Sequence, residues 1–492
     1  MTGLAEQIDI DVAAFAVRCQ KFRIAALVMR RTSIPLATEY ATRLVHLVPG
    51  IRLDDLLGFF DFEGPESKVL LQDVLGTGLV EERGGQLFLS ARGLKSLSPL
   101  SDKLDLFEIE QITPTVTFEL AALTPIDEAS LDKREAKLVE ELRLPDREKA
   151  ATASSAAADA FDFHFQEWRQ TQSRKRWLDE EARLNSIEDV QPVAPATAVI
   201  QIPIRWRPTE GAGVFPDFSE LSNKGRQGSR GPLIAAISDQ MKSVVAPPDH
   251  QLAFDLIDEM DGGVLRRGGA RSSLDRRQWI CDAVQPANRA LSGAGAPGLR
   301  LVGSVASENV RAGVLDWTKS AGDTSANTVR TPVFWLPPGT NSWGRSPSFV
   351  GLARDLSKTN QTNDGTVLLA RSSGESDNRR WIKRYGQSGA LQPLFDRCLA
   401  VPAQQLPLSL EVLFKPGSWV AVIIHSPDVG SDYPFPFGYI TADIDIVVSY
   451  KKMIAELAAA ADGTSGLLWT RSDEDSHRAL HAIDMSLDIG VA

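Results

Sequence analysis

Asp443 and Asp445 come nearest in this sequence to a catalytic constellation. They lie in residues 440–450 (ITADIDIVVSY), an apolar stretch that reads as a strand. Side chains two apart on a strand share one face. Two carboxylates on one face are what metal-assisted phosphoryl transfer needs, because paired divalent ions require a common acidic cradle. Gly430-Ser431 precedes this pair, with twelve residues from the serine to Asp443. The competing reading is a β-hairpin whose aspartates face solvent.

A second chemistry is suggested by cations interleaved with aromatic rings. Arg266, Arg267, Arg271, Arg276 and Arg277 fall close together with Asp275 as the one acid among them, and Trp279 follows. Arg379-Arg380-Trp381-Ile382-Lys383-Arg384-Tyr385 is another such run, and Arg174-Lys175-Arg176-Trp177 a third. Nucleic acid needs cations for its phosphates and flat rings for its bases. Arginine forks also match phosphate better than lysine does. The chain as a whole is acidic, with 53 Lys+Arg against 64 Asp+Glu and a net charge of −11. That excludes a protein coated by nucleic acid over its whole surface, but not one with local basic patches. A single groove requires the clusters to share a face. The alternative is that they are solvated helix faces paired with surplus acids.

Other chemistries are excluded by spacing. Cys19, Cys281 and Cys398 form no CxxC pair, so a zinc ribbon is out and a disulfide framework is not expected. The six histidines contain no HExxH, and His477 and His481 read as part of a solvated C-terminal helix. No GxSxG elbow or Walker A loop occurs. Residues 293–298 (GAGAPG) match GxGxxG formally, but Pro297 and the lack of a preceding strand make them a plain loop. No cofactor is expected. No signal peptide or membrane-length apolar run is present, and the expected location is the cytoplasm.

The elements that must position these residues begin with helical readings for 12–31, from Pro35 toward His46, for 53–60 and for 66–75. Next comes GLVEERGGQLFLSARG, in which two short strands flank Gly84-Gly85. This order of helix, turn, helix and hairpin resembles the winged helix-turn-helix family over about residues 35–97. The resemblance implies that the second helix or the hairpin wing reads duplex DNA, with Lys68 and Arg83 as the nearest phosphate contacts. Glu66 and Asp73 share that helix with Lys68, and residues 1–105 carry slightly more acids than bases. That balance favours a protein-docking use of the domain.

Gly-Ser followed by Asp-x-Asp also resembles the nucleotidyltransferase superfamily signature. There the Gly-Ser turn holds nucleotide phosphate and the strand carboxylates hold divalent metal, which would give those roles to Ser431, Asp443 and Asp445. Pro434 and Pro436 stand where that family has a short helix, and a strand-like run rather than a helix precedes Gly430.

The expected architecture is multidomain α+β. A winged-helix domain (1–105) leads through a helical connector (106–196), with a flexible break near 150–158, to a large mixed α/β domain (197–492). The expected function is a non-catalytic, nucleic-acid-associated subunit of a multi-protein DNA-processing or anti-phage defence complex, the setting resting on fold-level analogy. Its expected partners are DNA and other protein subunits, with no membrane, and it could assemble as an oligomer. The alternatives are a metal-dependent nucleotidyltransferase and a protein scaffold without nucleic acid.

Overall fold

The computed structural model describes residues 7–488, apart from 32–33, 63, 97–106, 128–129, 132–134, 145–151, 172–181, 208–212, 224–228, 268–272, 286–287, 292–296, 321–330, 361–364, 387–392, 429 and 472–473. The chain opens with strand β1 (Ile8–Arg31). There follow α1 (Leu36–Leu47), β2 (Ile51–Arg52), α2 (Leu53–Phe60), α3 (Pro65–Gly76), β3 (Val80–Arg83), β4 (Gln86–Leu89) and α4 (Ala91–Ser96). Strands β5 (Phe107–Ile112), β6 (Thr115–Glu119) and β7 (Glu140–Glu141) precede helix α5 (Ala153–Thr171). Strands β8 (Arg183–Trp206) and β9 (Val214–Pro216) lead into helices α6 (Ser219–Asn223), α7 (Gly231–Met241), α8 (His250–Asp261), α9 (Val264–Arg267) and α10 (Ser273–Val284). Then come β10 (Gly298–Val302), α11 (Glu308–Ser320), β11 (Val333–Leu336), α12 (Pro347–Asn360), β12 (Thr366–Ser372), α13 (Glu375–Tyr385) and β13 (Arg397–Pro402). The chain ends with β14 (Leu410–Lys415), β15 (Trp419–Asp428), β16 (Ser431–Thr441), α14 (Ile444–Ala459), β17 (Leu467–Trp469) and α15 (Ser476–Leu487).

The fold is mixed α/β in two units, and neither is one continuous stretch of chain. The larger holds residues 1–20, 117–152 and 194–492, and the smaller holds 21–116 and 153–193. A linear division at 105 and 196 does not reproduce this, because β1 and β8 each continue from one unit into the other.

In the smaller unit, Ala41, Val45, Leu56, Leu70, Val74, Val80 and Leu87 form one core. They bring α1, α2 and α3 onto a three-stranded sheet of order β2-β4-β3. Residues 12–31 are strand rather than the expected helix. Phe22, Ile24, Ala26 and Val28 are all buried at a period of two, which a helix cannot bury on one side. The second half of this strand pairs antiparallel with β5, Ala26 opposite Ile112.

Residues 153–158 are not a break, since they open α5. Alanine is the strongest helix former, and its lack of bulk lets Ala153 and Ala157 sit buried. Phe161, Phe165 and Trp168 continue the buried stripe at helical spacing, with ring centroids 5.3–6.0 Å apart. Of the rest of the expected break, Thr152 is an exposed turn residue and 150–151 lie outside the described residues.

The larger unit is a three-layer sandwich about an eight-stranded sheet of order β10-β16-β15-β14-β11-β12-β13-β17. Strands β11, β12 and β13 run parallel, with α12 and α13 as their crossovers. Alternation along the strands sorts the two faces. Phe334, Leu336, Val412, Val422 and Tyr439 pack with Ala253 and Ile257 of α8, Trp279 of α10 and Ile446 and Ile454 of α14. Trp335, Leu368, Leu413, Ala421 and Ile440 pack with Val310 of α11, Phe349 and Leu352 of α12 and Tyr385 of α13.

Candidate nucleic-acid interface

Helix α13 carries Arg379, Arg380, Lys383 and Arg384. Glu375 and Asp377 occupy its first turn and Lys383 and Arg384 its last, which matches the helix dipole at both ends. Its rings point inward. The Trp381 indole N–H donates to the Arg371 carbonyl at 2.8 Å, and the Tyr385 hydroxyl donates to the Trp343 carbonyl at 3.3 Å. With those two side chains fixed on the sheet, Arg379, Arg380 and Lys383 are left exposed. Arg379 pairs with Glu375 at 2.5 Å and Arg380 with Asp377 at 3.7 Å, both on the helix surface. Exposed pairs of this kind contribute about 0.3–0.5 kcal/mol.

Beside α13 lies the loop 337–346, which follows β11. Buried polar groups hold it at several points. The Arg371 guanidinium donates to the carbonyls of Pro337, Leu406, Pro407 and Leu410 at 2.7–3.0 Å. Burial pushes its pKa down to about 10. Glu411, fully buried on β14, accepts from the indole N–H groups of Trp335 (2.9 Å) and Trp343 (2.8 Å). Its other oxygen lies 2.7 Å from His425 Nε2. Trp343 is thereby fixed, and it leads directly to Gly344 and Arg345. The Arg345 guanidinium pairs with Glu140 of β7. Burial first, and then the positive charge of Arg384, hold Arg345 below its ordinary pKa. Sequence reading missed Arg345 because it stands alone in a Gly/Ser/Pro-rich loop, and the only local signal is its place between a strand and a helix.

The remaining candidates are carried by other elements or lie outside the described residues. Arg266 and Arg267 lie on α9, and Arg276 and Arg277 on α10, but their side chains and all of Arg271 are outside the described residues. Leu265 of α9 and Trp279 and Ile280 of α10 belong to the opposite face of the sheet from Tyr385. The helices α9 and α10 thus pack on the other face of the sheet from α13. The rings are corrected. Trp279 is fully buried beneath Arg300, 5.0 Å from its ring centroid, so it offers no face to a base. Residues 174–177 lie outside the described residues. In the smaller unit, Lys68 is exposed on α3 beside exposed Glu66, Gln72 and Asp73. Arg83 is exposed on β3, paired with Glu81 and 5.9 Å from the Phe88 ring centroid.

The aspartate pair is not on a strand. Asp443 is the N-cap of α14, accepting from the backbone N–H of Asp445 (3.1 Å) and Ile446 (3.4 Å), while Asp445 is exposed in the first turn. Ser431 begins β16 and Thr441 ends it, so the serine and the aspartates are separated by about 30 Å of extended chain. The Ser431 hydroxyl accepts from the Tyr433 N–H at 3.2 Å. No group of three or more His, Cys, Asp or Glu suited to a metal occurs among the described residues. The expected serine and carboxylate cradle is therefore corrected. Asp443→Ala should cost about 1 kcal/mol, the loss of one helix cap, measured as a shift in the urea midpoint. A much larger loss would show that Asp443 does more than cap.

No helix among the described residues is long and apolar enough to cross a membrane. No protein-family model, curated protein or solved structure matches the chain.

Proposed function

We propose that the chain is a non-catalytic, nucleic-acid-associated subunit of a multi-protein DNA-processing or anti-phage defence assembly. The observation that carries this reading is α13, whose rings are spent on the core while Arg379, Arg380 and Lys383 stay exposed beside Arg345 and Arg384. Such a face suits phosphate tracking, where affinity comes from cations and not from base edges.

The smaller unit acts as the docking module. The element order α1-β2-α2-α3-β3-β4 and the sheet order β2-β4-β3 support reading it as a winged helix. Its surface suits protein better than duplex. Leu36, Tyr40 and Leu47 fall on one side of α1 at 67%, 52% and 76% exposure, and Phe59 is 69% exposed. The second helix of the motif, α3, sets Glu66 and Asp73 against Lys68.

Fluorescence anisotropy of the full chain with short labelled duplex and single-stranded DNA, titrated from low to moderate salt, tests the reading. Binding that weakens steeply with salt is the expected result. No binding at low salt would contradict it and leave the smaller unit's docking surface as the basis for a scaffold without nucleic acid.

A further inference from the structure

We propose that Arg345, Arg380 and Arg384 form a seat for one phosphate group of a nucleic-acid strand, and that Glu140 is the carboxylate this phosphate displaces. The inference rests on the nucleic-acid reading above and names the place where the strand is gripped.

The groups are brought together by geometry that does not depend on their charge. The Tyr385 hydroxyl donates to the Trp343 carbonyl. A Cβ added at Gly344, whose φ is +73°, would lie 2.0 Å from that hydroxyl oxygen. The last turn of α13 therefore rests on the backbone just before Arg345, at a spot only glycine fits. The Arg384 guanidinium sits 5.9 Å from the Tyr385 ring centroid, and Arg380 is one turn earlier on the same helix. Glu411 and Arg371 pin the loop from beneath, so Arg345 projects from a support already held in place.

The local charge is unbalanced. Glu140 pairs with Arg345 and, at a looser 3.7 Å, Asp377 pairs with Arg380, while Arg384 has no carboxylate partner among the described residues. Among the described residues one of these three positive charges is left over, which is what a phosphodiester carries in the opposite sign. Arg345 itself is 17% exposed, and its Nε is buried with no acceptor among the described residues. The neighbouring charges of Arg384 and Arg380 disfavour its protonated form while Glu140 favours it, so an incoming anion relieves repulsion as well as forming hydrogen bonds. Guanidinium forks bind phosphate through two parallel N–H donors, which a single surface lysine cannot do.

Two variants of the full chain test the seat by anisotropy with labelled single-stranded DNA, each first shown to unfold in urea near the wild-type midpoint. Arg345→Gln should weaken binding about tenfold and lower the salt slope by about one. Glu140→Gln should strengthen binding about threefold, because the competing carboxylate is gone. A residue that only braces the fold would not give opposite signs for the two variants. If the wild type binds DNA and neither variant changes it, the seat is overturned while the α13 reading stands. If the wild type binds no DNA at low salt, the nucleic-acid reading fails, and inorganic pyrophosphate in a thermal-shift titration decides the seat. Stabilisation of the wild type but not of Arg345→Gln retains a phosphate seat serving a smaller ligand, and no stabilisation overturns it.

Discussion

Replacing Glu411 with alanine is expected to lower the stability of the larger unit by about 3–5 kcal/mol. The carboxylate is fully buried and holds three partners, the indoles of Trp335 and Trp343 and the imidazole of His425. Removing it leaves two indole donors and a buried imidazole without their acceptor, in a layer where water does not replace it. Glu411→Gln keeps an amide oxygen for the indoles and loses the charge beside His425, so a smaller loss of about 1–3 kcal/mol follows. Urea unfolding of both variants, read by tryptophan fluorescence, gives the comparison directly. A loss below about 1 kcal/mol for the alanine variant would contradict the view that this network anchors the loop carrying Arg345.

Reversing the outer face of α13 with Arg379→Glu, Arg380→Glu and Lys383→Glu should reduce DNA affinity about a hundredfold at low salt and flatten its salt dependence by about three units of slope. The three side chains are exposed, but the reversal lines up like charges along the helix and puts an acid in its last turn, so a stability loss of about 1–2 kcal/mol is expected. Anisotropy and urea unfolding on the same preparation separate the two effects. Unchanged affinity in a folded triple variant would move the nucleic-acid contact away from α13. The same reversal at Lys68 and Arg83 should leave affinity within about threefold of wild type, since both sit among carboxylates on the smaller unit.

The parts of this fold that were legible in the sequence are those fixed by local punctuation. Pro65 at the first turn of α3 and Gly84-Gly85 between β3 and β4 set boundaries that the structure keeps. The stretch 12–31 misleads because its many alanines blur the distinction between a period of two and one of 3.6. What decides is burial, which the pairing of β1 with its neighbouring strands creates. Asp443 was readable as a cap. Ile446, Val447, Tyr450, Met453, Ile454 and Leu457 follow it at helical spacing and are all buried, and an aspartate just before such a run is a helix start. The Asp-x-Asp pattern hides this when read alone. Arg345 was out of reach, because its meaning comes from Arg384, Glu140 and Tyr385, residues distant from it in the chain that the fold brings together. Cation and aromatic runs also overstate an interface. On α13 and α10 alike the rings serve the core, and on α13 it is the cations that stay exposed.

The measurement that bears most directly on the central claim is hydrogen–deuterium exchange of the full chain with and without saturating single-stranded DNA. The account predicts protection concentrated in peptides covering 337–346 and 375–385, with the segment 36–96 unchanged. Protection confined to 65–89, or to the opposite face of the sheet at 264–284, would contradict it.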